Sequence, residues 1–195
     1  MSEDLIVRHC APTLAGLKTG NMFTASFADE KELDAEMKRL NSILTERGLR
    51  ITALRIGCHA NFAKGCIRAL VYIYRPGQLQ SDLNEAEAKA ILADFGYEEG
   101  DHEICIRRLT DRICECEEFP HEIGLFLGYP PEDVKGFIEL GGRQSKASGY
   151  WKVYGDVDHA QKQFERFSKC TGVYLKCLER GLPFTKLAVK KKVTA

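Results

Sequence analysis

The residues able to do chemistry fall in three places. The first is His9 and Cys10, which stand just before Pro12 in the segment HCAPTLAGLKTGNMF. Proline suits the first turn of a helix, so this order places Cys10 ahead of a helix N-terminus. Unpaired backbone N–H groups and the positive dipole end favour thiolate over thiol there. With His9 beside it, such a sulfur would serve as a nucleophile, a metal ligand or the anchor of a small redox-related ligand. Lys18, in the same segment, is a further ligand-binding candidate, its charge suited to a small anion.

The second place is Cys58, His59 and Cys66, at the end of an expected hairpin. A turn there would gather Cys10, Cys58, His59 and His121 as a soft sulfur and imidazole set for iron, zinc or copper(I). The third is His121 with Glu122, an acid or base pair in a pocket whose walls include Phe119, Phe126 and Tyr129. A zinc-protease helix needs a second histidine four residues after the first. Position 125 is leucine, which excludes that activity.

Other motifs are weaker. Arg143 and Lys146 in the loop GGRQSK could grip an anion, the basis of an alternative enzyme reading, but no P-loop pattern is present. Neither GxGxxG nor GxSxG occurs. The eight cysteines contain no CxxC pair, which disfavours a zinc ribbon and leaves free thiols as the expectation. Cys114 and Cys116 are two apart, and on a helix such side chains point about 200° away from each other.

Composition sets the frame. The chain has 195 residues, 44% hydrophobic and 29% charged, with 28 basic and 28 acidic side chains. The balance is uneven. Residues 82–139 hold 16 acidic against 5 basic groups, and residues 143–195 hold 4 against 12. On the last helix Lys162, Arg166, Lys169, Lys176 and Arg180 fall within about 80° of arc, which supports a second alternative, an interaction module for an acidic protein partner. Nucleic acid is disfavoured, because the second helix of the 120–140 pair carries Glu132, Asp133 and Glu139 against Lys135 alone. No apolar run approaches the ~20 residues of a membrane span, and Leu5 to Val7 is too short for a signal-peptide core, so a cytoplasmic location is expected.

These groups need a scaffold. Asp29 caps a helix over 30–47, with Glu32 three positions on and Leu33, Met37, Leu40 and Leu44 along one stripe. Residues 49–57 and 66–74 read as an antiparallel hairpin, the second strand too apolar to be an edge. A strand at 150–154 is expected beside one of them. Helices are expected over 84–95, 101–117 and 157–180, with two short ones in 119–137 and one begun at Pro12. The architecture is α+β, a small antiparallel sheet packed with several helices. One domain over 1–195 is expected, with 188–195 a flexible tail.

Three blocks carry a resemblance: HCAPTLAGLKTGNMF at 9–23, FPHEIGLFLGYPPEDVKGF at 119–137 and GYWKVYGD at 149–156. In these the chain resembles an uncharacterised bacterial family of domain-of-unknown-function proteins over nearly its full length. The family supplies no catalytic residues to carry over. Its association with flavodoxin-like and ferrous-iron transport genes implies redox or metal chemistry.

Overall fold

A computed structural model describes residues 1–57, 66–115 and 119–190. The chain is α+β, and it divides into two compact units, Met1–Pro76 with Cys170–Ala195, and Gly77–Lys169.

In the first unit, helix α1 (Glu3–Leu14) is followed by strand β1 (Gly20–Phe27), helix α2 (Glu30–Thr45) and strands β2 (Arg50–Gly57) and β3 (Ile67–Tyr74). The three strands form an antiparallel sheet in the order β1-β3-β2. Phe23 and Ala53 both lie opposite Val71, and a bulge between Ala53 and Arg55 shifts the β2 register. Strand β3, apolar from Ala69 to Ile73, is central, as expected of a strand too apolar for an exposed edge.

One face of this sheet presents Phe23, Ala25 and Phe27 from β1 and Ile67, Ala69, Val71 and Ile73 from β3. Against it pack Ile6, Cys10 and Leu14 of α1 and Leu33, Leu40 and Leu44 of α2. Each fully buried leucine contributes about 2 kcal/mol. Asp29 caps α2 as expected, accepting from Glu32 N–H at 2.8 Å.

The second unit holds α3 (Pro76–Leu83), α4 (Ala86–Asp94), α5 (His102–Glu115), α6 (Ile123–Phe126), α7 (Pro131–Leu140) and a two-stranded ribbon, β4 (Ala147–Ser148) with β5 (Lys152–Val153). Helix α8 (Val157–Glu179) begins here and returns the chain to the first unit, where α9 (Phe184–Leu187) ends the regular structure.

Two expectations are corrected. The 150–154 strand does not join the hairpin: Lys152 and Val153 pair with Ser148 and Ala147 in a separate sheet. The third strand of the main sheet is instead β1, GNMFTASF, whose alternation of buried Phe23, Ala25 and Phe27 with exposed Thr24 and Ser26 is that of a half-buried strand. The second correction concerns Pro12, which ends a helix and does not begin one. Ser2 caps α1 by accepting from Leu5 N–H, and Glu3 and Asp4 occupy its first turn. Proline is tolerated in the last turn because the carbonyl it leaves unpaired belongs to solvent-exposed Arg8. The chain remains held beyond α9, since Val189 N–H donates to Leu14 O at 2.9 Å and Ala188 is fully buried.

Candidate functional site

In the first unit, Cys10 occupies the third turn of α1 rather than a position ahead of a helix start. Its side chain is wholly buried among the apolar residues of the core. Burial pushes the thiol well above its usual value, the reverse of activation, although the nearby Lys18 charge pulls in the other direction. Successive residues on a helix point about 100° apart, and His9 accordingly faces solvent, where its ring stacks on Phe23 with centroids 5.4 Å apart. The expected electropositive niche is a packed thiol.

Lys18 lies in the turn between α1 and β1, almost fully buried, and its ammonium donates to Gly20 O. Desolvation lowers it to about 7. Arg75, at the end of β3, is buried as well and donates to Thr13 O at 2.8 Å, Leu14 O at 2.7 Å and Val189 O at 2.8 Å. A guanidinium laid on the last carbonyls of α1 satisfies acceptors that no helical N–H can reach. Both cations therefore serve the fold.

Cys58 and His59 lie outside the described residues, and Cys66 is exposed. Among the described residues no three His, Cys, Asp or Glu side chains are grouped so as to hold a metal ion. Glu122, in the second unit, turns inward: it is fully buried, forms an ion pair with Arg112 and accepts from Tyr97 O–H at 3.1 Å. The Arg112 guanidinium in turn sits 4.8 Å from the centre of the Phe95 ring. Arg143 Nε donates to Leu140 O at 3.3 Å and Lys146 Nζ to Gly155 O at 3.0 Å, so the cations of the 141–146 loop rest on backbone carbonyls of their own unit.

Among the expected groups that lie in the described residues, His121 lines a cavity. This space, about 320 Å³, lies in the second unit between the segment before α6, helix α7 and the β4–β5 ribbon. Its walls include the rings of Phe119, His121, Tyr129, Phe137 and Trp151. Two of the three walls expected around His121, Phe119 and Tyr129, are present; Phe126 instead is fully buried and packs on Tyr97.

The wall is rigid for identifiable reasons. Tyr129 stacks on Trp151 with centroids 4.8 Å apart, and Phe164 meets the other ring system of the cluster edge-on, 4.6 Å from Trp151. His121 makes an edge contact with Phe137 at 4.9 Å. Asp133, three residues into α7 where the macrodipole favours an anion, is the organising group. It accepts from Trp151 Nε1 at 2.6 Å, Tyr154 N at 2.6 Å and Gly155 N at 2.8 Å, tying the ribbon to the helix. Tyr129 O–H donates to Tyr150 O at 3.1 Å, and burial pushes this phenol up to about 12. Gly124 belongs to the wall because a Cβ there would meet Val134 Cγ2 at 2.7 Å. At the edge, Lys152 is half-buried and forms no ion pair among the described residues.

Asp133, Phe137, Trp151 and Lys152 were not legible as a site. The only signal was a lone tryptophan in a short alternating segment, YWKVY, and an aspartate two positions after Pro131.

The chain matches no curated protein and no solved structure. It does match the family described as "Protein of unknown function (DUF3793)" over residues 6–188, nearly its whole length, and it belongs to that family.

Proposed function

We propose that the protein binds a small aromatic ligand in the ring-lined cavity of its second unit, with an anionic substituent of that ligand paired to Lys152. The observation that carries this reading is the cavity of about 320 Å³ walled by five rings, of which Trp151 is fixed by its hydrogen bond to Asp133. Small-molecule sites occupy roughly 300–1,000 Å³, are mostly apolar and carry a few fixed polar groups, so this one suits a molecule of one or two rings. Offset and edge-on ring contacts contribute about 1 kcal/mol each beyond area burial. The half-buried ammonium of Lys152 supplies orientation and selects charge, because an ion pair gains strength where solvent is partly excluded. The Cys–His metal reading has less support: Cys10 is enclosed by hydrocarbon and His9 faces away from it.

Trp151 is the only tryptophan, so its emission reports on the site directly. Titration with 4-nitrobenzoate, a non-fluorescent aromatic anion, is expected to quench Trp151 saturably. Phe137→Ala should weaken that binding about tenfold, the loss expected from removing one ring contact and its buried area. Lys152→Gln should weaken 4-nitrobenzoate but leave the neutral analogue 4-nitrotoluene unchanged. Linear, unsaturable quenching that is indifferent to both substitutions would overturn the proposal.

A further inference from the structure

A second cavity, about 580 Å³, runs between α4 and α7 and shares no wall residue with the aromatic one. Its rim carries four acids against one cation: Glu87 and Asp94 on α4, and Glu132 and Glu139 with Lys135 on α7. All four are exposed, and among the described residues only Glu139 forms an ion pair, with Lys135 at 3.9 Å. The floor is apolar, with Ile91 and Phe95 from α4 and Ile138 from α7.

The spacing on both walls is the same. On α4, Glu87, Ile91 and Asp94 step by four and three; on α7, Glu132, Gly136 and Glu139 do likewise. The α4 wall is thus acid, apolar, acid on one helix face, and on α7 the Tyr154 ring packs over Gly136 between the two acids; on each helix the carboxylates are separated by about 10 Å along the axis at ~1.5 Å per residue.

Helix α8 carries the complement. Lys169, Val173 and Lys176 also step by four and three, and all three are exposed, Val173 at 50%. With Lys162 and Arg166 they lie within about 80° of arc, a basic stripe with one valine at its centre. None of these cations forms an ion pair among the described residues. Base, apolar and base at the same ~10 Å spacing match acid, apolar and acid.

We propose that α8 of a second copy of this chain seats in the α4/α7 groove, with Val173 over the apolar floor and Lys169 and Lys176 against the rim carboxylates. The chain is neutral overall yet strongly segregated in charge, and such a molecule attracts its own kind when salt is low.

Sedimentation of the full-length protein tests this. Wild type should sediment above the monomer mass in dilute buffer and at the monomer mass near ~1 M salt, where the Debye length falls to about 3 Å. Glu87→Lys with Asp94→Lys, and separately Lys169→Glu with Lys176→Glu, should each be monomeric in dilute buffer while keeping wild-type helical circular dichroism, since all four positions are exposed. An equimolar mixture of the two charge-reversed proteins should associate again, because the unaltered α8 of the first variant meets the unaltered acidic groove of the second. A monomeric wild type in dilute buffer, association that survives either reversal, or a mixture that stays monomeric would each overturn the proposal.

Discussion

Lys18 makes the stability of the first unit depend on pH in a direction opposite to that of most lysines. Its ammonium is buried beside Cys10 and held near 7, whereas in the unfolded chain it titrates at the ordinary 10.5. Between those values the unfolded chain keeps a proton that the folded chain has given up, so stability rises as pH rises. At ~1.36 kcal/mol per pH unit, and allowing for half-protonation at the start, the gain from pH 7 to 9 is about 2 kcal/mol. Above 9 the sign is contested. Burial keeps Cys10 a thiol where the unfolded cysteine ionises, which removes stability and offsets the lysine term. Lys18→Met removes the titration: it relieves a cost of about 4 kcal/mol at pH 7 and leaves Gly20 O without its donor, at ~1–3 kcal/mol, for a net gain of about 2 kcal/mol. The assay is urea unfolding of both proteins at pH 7, 8 and 9, taking the difference between them so that every other titrating group cancels. A wild-type-minus-variant difference that does not change from pH 7 to 9 would refute the buried-ammonium argument.

Other expectations are simpler. Alkylation under native conditions should modify exposed Cys66 and Cys114 quickly and leave Cys10 intact, read by peptide mass; rapid labelling of Cys10 would contradict its enclosure. Arg112→Met strands the fully buried Glu122 and should cost about 3–5 kcal/mol in denaturant unfolding, as breaking one side of a buried pair does. Asp133→Asn replaces one acceptor oxygen with a donor facing either the Trp151 indole or two backbone N–H groups, so a loss of ~2–3 kcal/mol with a red-shifted Trp151 emission is expected.

The elements that sequence periodicity revealed are those whose local and tertiary signals agree. Helix α2 combines a capping aspartate, a stripe at helical spacing and Gly48 with φ 71° after its end, and its start was read to the residue. Strand β3 shows its central place in the apolar run Ala69–Ile73. Strand β1 is hidden in the sequence because its alternation is confined to Phe23, Ala25 and Phe27, a pattern that a single strand shares with many loops. Pro12 misled because proline is compatible with either end of α1, and the deciding residue, Ser2, sits ten positions upstream. The sequence shows β5 as extended but not its partner, because a two-residue ladder with Ala147 and Ser148 leaves no periodicity to read.

The same distinction explains the site. His121, Phe119 and Tyr129 lie close in sequence, and a segment dense in prolines, glycines and rings signals a pocket locally. Trp151 joins them through its hydrogen bond to Asp133, 18 residues away in sequence, and its stacking on Tyr129, and no spacing rule encodes such contacts across a helix and a ribbon. The cysteine reading failed for a related reason. Whether a thiol is activated or inert depends on what surrounds it, and for Cys10 that is the apolar face of a sheet built partly from the unrecognised β1. Charge, in contrast, survives as a sequence signal because exposed helix faces keep the register of the chain. The acid–apolar–acid and base–apolar–base steps of α4, α7 and α8 are written in residue numbers alone, and what the structure adds is that two of them form the walls of one groove.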